Sequence, residues 1–163
     1  MKTILLLLAL LLAGTAQAQI SATDKQALAS QLNKLMRDPE KPTQSVRFVF
    51  TGCHVQQIIR DNDADVHPSE AVAVSYSHNG NGAGVNLSEG VFELKFEFNW
   101  SDVVAVSCEK EADGPYYQLR IKRGKKDGSS STTTTTSTTL YTTNAATAHD
   151  LTRRLEAVRQ SCQ

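Results

Sequence analysis

The chain has 163 residues, of which 40% are hydrophobic and 21% are charged, so it is long enough for one hydrophobic core but not for two. Its 17 lysines and arginines balance 17 aspartates and glutamates, and this balance gives no overall field that would attract nucleic acid or an anionic membrane surface. We therefore expect a single domain whose partner is a protein or a small ligand, with no stable membrane insertion.

Residues 1–18 have the three parts of an export signal. Lys2 supplies the positive charge, residues 4–13 are apolar, and Ala16-Gln17-Ala18 fits the small-x-small cleavage rule. The apolar run is too short for a permanent membrane-spanning helix. We predict cleavage after Ala18 and export of the mature chain, which begins at Gln19, to the periplasm or the outside of the cell.

All three cysteines, Cys53, Cys108 and Cys162, lie beyond this signal. An oxidising compartment favours one disulfide and one remaining thiol. No two cysteines have the C-x-x-C spacing of a redox site or a zinc knuckle. The four histidines are spread through the chain without the carboxylate pattern of zinc ligands, so we predict no metal site and no cofactor.

Two segments have the periodicity of amphipathic helices. The first covers residues 20–37, with Thr23 and Gln26 as a capping box, and the second covers residues 145–160 after a cap at Thr143 or Asn144. We expect the first helix to pack on its own domain rather than on a partner. The apolar stripes are Leu28, Leu32, Leu35 and Met36 in the first helix and Ala148, Leu151, Leu155, Val158 and Cys162 in the second.

The strongest strand signal lies at residues 91–110. Large apolar side chains alternate with polar ones over residues 91–100, and such alternation places all of them on one face of a strand. A turn at Ser101-Asp102 leads into a second strand. We predict that the core assembles around this pair and that the Phe96→Ala substitution costs about 3–5 kcal/mol. The side chains predicted to share the core face are Phe92, Leu94, Phe96, Phe98 and Trp100.

Weaker patterns predict the remaining strands and their connections. Residues 45–61 form either one bent strand or two strands that meet at Gly52-Cys53, and further strands follow at residues 72–76 and 117–122. The glycine-rich residues 77–90 are typical of a flexible hairpin connection. Residues 124–137, basic and then only Ser and Thr, are interpreted as a mobile loop, although the last threonines favour a strand around residues 140–141.

Three motifs point to ligand chemistry, and each departs from its pattern. Asp61, Asp63 and Asp65 resemble the opening of a calcium loop, but Val66 stands where the sharp turn requires glycine. The glycines of residues 80–84 lack the spacing and the following helix of a dinucleotide site. The basic cluster at residues 120–126 is interpreted as the solvent face of a strand. Because no nucleophile motif of a hydrolase is present either, we predict a protein that is not an enzyme.

About seven strands without strand–helix alternation predict an α+β fold with an antiparallel sheet. The strands at residues 91–110 and 117–122, the turn at Trp100-Ser101-Asp102 and the helix from Ala145 together resemble the pleckstrin-homology-like barrel superfold, in its small exported bacterial form with an extra N-terminal helix. The resemblance covers residues 45–163 and is one of topology. It implies a strongly curved antiparallel barrel with a C-terminal capping helix, preceded by a helix and linker at residues 19–44.

In such a barrel the terminal helix lies across the open end, with Cys162 facing the sheet. Two partners for Cys162 stay open: Cys108, at the end of a core strand, and Cys53, beside the irregularity at Gly52. We favour the Cys53–Cys162 pair because it encloses the longest loop and so restricts the unfolded chain most.

Two classes of function remain after these steps. The first is an exported, non-enzymatic binding or interaction module that uses strand edges or the glycine-rich and threonine-rich segments. The second is a small-molecule carrier or hydrolase-like enzyme with a pocket in the curved sheet. A filled core favours the first class, and an enclosed apolar cavity with convergent polar groups favours the second.

Overall fold

The computed structural model describes residues 20–78, 81–127 and 130–163, so the predicted signal at residues 1–18 lies outside the described residues. A 3-10 turn at Trp100–Asp102 joins two of the strands. The remaining elements are α1 (Ala22–Leu35), β1 (Gln44–Thr51), β2 (His54–Asp61), β3 (Val72–His78), β4 (Asn81–Ser88), β5 (Val91–Asn99), β6 (Val103–Lys110), β7 (Tyr117–Asp127), β8 (Ser130–Leu140) and α2 (Ala145–Ser161).

The strands form two open antiparallel sheets. One sheet has five strands in the order β1-β2-β5-β4-β3, and the other has three in the order β6-β7-β8. The predicted α+β class and antiparallel pairing are confirmed. The predicted single barrel of about seven strands is corrected to eight strands in two sheets, because β2 pairs with β5 and the β3–β4 hairpin lies outside that pair.

The glycine-rich and threonine-rich segments are strands, which corrects two predictions. In β4, a Cβ on Gly82 would lie 2.7 Å from the carbonyl oxygen of Tyr76, so glycine here permits close approach of β3 rather than flexibility. In β8, the residues pair in register with β7, from Tyr117 opposite Leu140 to Gly124 opposite Thr133. The branched threonine side chain favours the extended backbone, and a neighbouring strand supplies the hydrogen bonds.

The break at Gly52 separates two strands rather than bending one. β1 and β2 pair from Gln44 opposite Asp61 to Thr51 opposite His54, which leaves Gly52 and Cys53 as the turn. Gly52 has a φ of 64°, a value that glycine adopts without steric strain.

One core joins both helices and both sheets. Trp100 is 0% exposed; its ring stacks on Phe98 with centroids 5.9 Å apart, and its indole N–H donates to the carbonyl oxygen of Leu155 at 3.3 Å. α1 belongs to the same core, which confirms that it packs on its own domain. The buried members of the helix stripes are Leu28, Leu32 and Met36 from the first and Ala148, Leu151, Leu155 and Val158 from the second.

The helix caps confirm one prediction and correct another. Asn144 caps α2 by accepting the backbone N–H of Thr147 at 3.1 Å, as predicted. α1 is capped by Ser21, whose hydroxyl accepts the N–H of Asp24 at 3.1 Å, and not by a box of Thr23 and Gln26. Both Ser21 and Thr23 are chemically suited to this position, so the residue type alone did not fix the helix start.

A disulfide joins Cys53 to Cys162, the pairing that the sequence favoured. It ties the β1–β2 turn to the end of α2, with the two Cα atoms 5.7 Å apart. Cys108 is a free cysteine whose thiol lies beside Thr152 of α2. Burial raises the pKa of this thiol. The bridge fits an oxidising compartment. Within the described ranges, no helix is long and apolar enough to cross a membrane.

Candidate binding surface

Alternate residues of the five-stranded sheet form one apolar face. Directly paired residues of antiparallel strands point to the same side, and the register pairs Leu94 with Ile59 and with Val85. The row through Leu94 therefore crosses the whole sheet from β1 to β3. In that order its members are Val46, Ile59, Leu94, Val85 and Val74.

The opposite face of this sheet is polar. Arg60 and Glu93 form an ion pair across β2 and β5 at 3.4 Å, and Lys95 lies 3.1 Å from Glu97 on the same side. Such partly exposed pairs contribute little stability. Their presence shows that solvent, not protein, faces this side of the sheet.

The core covers only one corner of the apolar face. Phe48, Val55 and Phe98 are at most 2% exposed because they belong to the buried cluster with both helices. Exposure then rises towards β3, where Val74 and Tyr76 are 66% and 68% exposed. We call the uncovered part the open apolar face; it consists of Ile59, Val72, Val74, Tyr76, Val85, Leu87, Phe92, Leu94 and Phe96.

The open apolar face corrects the prediction for β5 and the following turn. Alternation predicted correctly that the large side chains share one face, and Phe98 and Trp100 are buried as expected. Phe92, Leu94 and Phe96, however, are only partly buried and lie outside the buried cluster. The physical reason is that the helices and the second sheet pack over the other end of the strand.

The two outer strands of this sheet differ in how their edges are protected. At β1, the side chain of Asn33 in α1 takes the place of a neighbouring strand. Its amide nitrogen donates to the carbonyl oxygen of Phe48 at 3.0 Å, and its amide oxygen accepts the Phe48 N–H at 2.7 Å. An exposed edge otherwise invites pairing with another chain, and this contact blocks it at the middle of β1.

Within the described residues, the sequence and the exposure of β3 indicate no protection comparable to that of β1. All seven residues of Val72–His78 are exposed. The strand contains no proline and no Asp, Glu, Lys or Arg, which are the residues that protect natural edges. The second sheet has two outer strands, β6 and β8. β6 carries the charged residues Glu109 and Lys110, and β8 has an edge of Ser and Thr, so neither offers a comparable uncharged apolar row. β3 is therefore the edge best suited to strand pairing.

A pocket of about 270 Å³ opens beside the open apolar face, between β1 and β2 and the end of α1. Its apolar floor is formed in part by Ile59 and Phe92, so pocket and face are continuous. Its rim is polar and carries charges of both signs. The rim residues are Asp38, Lys41, Arg60, Asp61 and Tyr141.

Hydrogen bonds hold Tyr141 in place at the rim. The phenol donates to the Asp38 carboxylate at 2.9 Å, and the Tyr141 N–H donates to the carbonyl oxygen of Leu35 at 2.6 Å. Burial and then the hydrogen bond and charge of Asp38 raise the pKa of Tyr141 to about 12. The phenol is therefore protonated at neutral pH, where it serves as a hydrogen-bond donor rather than a base.

The Tyr141→Phe substitution is expected to remove the tyrosine that ionises near pH 12. Because the folded pKa of about 12 lies above the ordinary value of 10.0, the contact stabilises the fold fully below pH 10 and loses its contribution as the pH rises through 12. Tyrosinate absorbance should show an ionisation near pH 12 in the wild type that the variant has lost.

The exposed Tyr76 provides the control for this titration. Tyr76→Phe removes a phenol without touching the pocket, so it should leave the late-ionising phase unchanged. Urea unfolding should show that the stability gap between wild type and Tyr141→Phe narrows from about pH 10 to 12. A gap that stays constant over this range would contradict the assignment.

The aspartates that resembled a calcium loop form a hydrogen-bonded turn instead. Asp61 accepts the backbone N–H of Asp63 at 3.0 Å and the Gln44 side chain at 2.8 Å, and these bonds lower the pKa of Asp61. Asp65 lies 3.3 Å from the His67 ring. In the part of the chain that the structure covers, no group of three His, Cys, Asp or Glu side chains is placed to hold a metal ion.

Two arginines of the basic cluster at residues 120–126, Arg120 and Arg123, lie on opposite faces of β7. Arg120 pairs with Glu109 at 3.1 Å on the outer face. Arg123 points inward, with its guanidinium 4.5 Å above the Phe98 ring, and burial lowers its pKa. Of the glycines of residues 80–84, Gly80 lies outside the described residues.

Comparisons of the chain with family models, with curated proteins and with solved structures each gave no match.

Proposed function

We propose that this protein is an exported, non-enzymatic binding module that accepts an extended polypeptide strand along β3. The observation that carries this proposal is the exposed, uncharged outer strand, whose side chains alternate between apolar and small. In strand addition, backbone hydrogen bonds supply affinity, and alternate side chains supply specificity. A lipid or a small molecule has no repeating donors and acceptors to match such an edge.

The chemistry of the partner follows from the two faces of β3. Val72, Val74 and Tyr76 continue the open apolar face, so a partner strand gains most when its own side chains on that face are apolar. The opposite face carries only small residues and leaves room for polar side chains. The partner segment is therefore about seven residues long, extended, and alternately apolar and polar.

The pleckstrin-homology-like assignment is part of this proposal. The three-stranded antiparallel sheet β6-β7-β8, followed by α2 packed on its inner face, supports this assignment. Because β2 pairs directly with β5, the β3–β4 hairpin can be regarded as an insertion into a sheet of β1, β2 and β5. The hairpin lies beyond β5 and extends this sheet by two strands. On this interpretation the inserted hairpin supplies the docking edge.

The proposal is tested by nuclear magnetic resonance on the isotope-labelled chain that begins at Gln19. The probe is a capped peptide of alternating Val and Thr with two lysines at each end. Its addition should shift the amide signals of β3 and leave those of β1, which Asn33 protects, unchanged. An unchanged β3 spectrum at millimolar peptide would refute strand docking.

A variant with a charge on the β3 edge tests the docking site directly. Val74→Glu should weaken peptide binding about tenfold or more, because pairing would bury an unpaired carboxylate. Val74 is 66% exposed, so the fold should be retained. Thr135→Glu places the same charge on an exposed residue of β8, opposite Lys122, and should leave binding unchanged.

A second candidate function is small-molecule binding, and the continuous pocket and open apolar face favour it. The pocket of about 270 Å³ combines an apolar floor with the cation Lys41, which suits an apolar carboxylate. A carrier is preferred to a hydrolase-like enzyme because the sequence contains no nucleophile motif of a hydrolase. Dodecanoate is the probe for this function in the same nuclear magnetic resonance experiment. If small-molecule binding is correct, dodecanoate should shift the amide signals of Ile59, Phe92 and Tyr141. If the peptide shifts only the signals of β3, strand docking is favoured.

A further inference from the structure

We infer that the strand accepted by β3 is β3 of a second copy of this chain, which creates a two-fold dimer with one continuous sheet. The inference rests on the proposed strand-docking function and names its partner. Each copy contributes its five-stranded sheet. The two-fold axis stands perpendicular to the sheet, so both open apolar faces lie on the same side.

The sequence of β3 is complementary to itself when it runs antiparallel. In antiparallel pairing, directly opposite residues point to the same face of the sheet. Neighbouring residues of one strand point to opposite faces, so a residue cannot lie opposite its own neighbour in the second copy. The two-fold axis must therefore pass between two identical residues that lie opposite each other. Only an axis at Ser75, the middle of the seven-residue strand Val72–His78, pairs every residue of one copy with a residue of the other.

In this register the open apolar faces are matched side chain by side chain. Val74 lies opposite Tyr76 of the second copy, and the two-fold repeats this contact on the other side of Ser75. Cross-strand pairs of an aromatic with a β-branched residue stabilise sheets. Tyr76 already stacks on His78, with ring centroids 6.5 Å apart, and the second copy's Val72 extends this row.

Electrostatics and size also favour a second copy. A two-fold axis brings identical residues close together, and identical charges in a strand would repel each other. β3 contains no Asp, Glu, Lys or Arg, so this repulsion does not arise. On the other face, Ala73 lies opposite Ser77, and both are small enough to be covered without a clash.

Site-specific disulfide formation tests the register. In a background with Cys108→Ser, the Ser75→Cys substitution places two thiols directly opposite each other. Paired Cα atoms in antiparallel strands are about 4.5–5.5 Å apart, within the range of disulfides. Mild oxidation should therefore convert most of this variant into a covalent dimer.

Ser77→Cys in the same background is the matched control. It lies on the same face of the same strand, but its counterpart across the axis is four residues away, about 13 Å along the strand. It should form no covalent dimer on oxidation. A mixture of the Ala73→Cys and Ser77→Cys variants should instead give a mixed covalent dimer, because these two residues are opposite each other.

Size-exclusion chromatography with light scattering provides the second measurement. The chain without its signal should be dimeric at high concentration, and Val74→Glu should be monomeric with an unchanged circular dichroism spectrum. Equal crosslinking of Ser75→Cys and Ser77→Cys would overturn the inferred register. A monomer that forms no Ser75→Cys disulfide but binds the Val-Thr peptide would overturn self-pairing alone, and loss of both would overturn the docking function as well.

Discussion

Replacement of both Cys53 and Cys162 by alanine is expected to lower the free energy of unfolding by about 4–5 kcal/mol. The bridge spans a sequence separation of 109 residues. In the chain-entropy model, a loop of this length restricts the unfolded chain by about that amount at 25 °C. Urea unfolding of the wild type and the double variant, followed by circular dichroism, measures the difference.

The remaining cysteine provides the control for this measurement. Cys108 is partly buried but unbonded, so Cys108→Ala removes a sulfur without opening a loop and should change stability by about 1 kcal/mol. Reduction of the wild type should reproduce the loss in the double variant. A loss no larger than that of Cys108→Ala would mean that the unfolded chain is already restricted in some other way.

Phe98→Ala is expected to destabilise the fold by about 3–5 kcal/mol, the usual range for a fully buried aromatic side chain. Phe98 is 2% exposed, and its ring supports both Trp100 and the guanidinium of Arg123. The Arg123 Nε is buried and has no hydrogen-bond partner among the described residues. Loss of the ring also removes the cation–π contact that Phe98 makes with this guanidinium.

Phe96→Ala is the matched control, with the same change on the same face of the same strand. Because Phe96 lies on the open apolar face, we now expect this substitution to cost only about 1 kcal/mol, less than its alternation in the sequence suggested. Both variants should be compared by chemical unfolding at low protein concentration, where self-pairing is absent. Equal losses would mean that the face is covered within a single chain.

The comparison of Phe96 with Phe98 shows what the sequence can and cannot predict. The period of two placed both rings on one face, and the helical stripes located both helices and most of their buried residues, because these patterns depend on neighbours along the chain. Which part of a face is covered depends on distant elements. For that reason the apolar alternation of β3 looks the same as that of a core strand.

The candidate site was harder to predict because its parts come together only in the fold. Tyr141 and Asp38 are 103 residues apart in sequence, and nothing local marks either as a partner of the other. The pairing of β2 with β5 likewise decides that β3 is an outer strand. Composition alone was misleading at β4 and β8, where glycines and threonines suggested loops but adjacent strands provide backbone partners.

The bridge between the first hairpin and the end of α2 also determines how the protein bears mechanical force. If the chain is pulled from its two ends, tension passes from β1 through Cys53 directly to Cys162, since the covalent bond is the shortest route. Strands β2 to β8 and α2 lie between the two cysteines and stay outside this route. Of the described elements, only α1 and β1 are drawn out under load, while β3 keeps its shape.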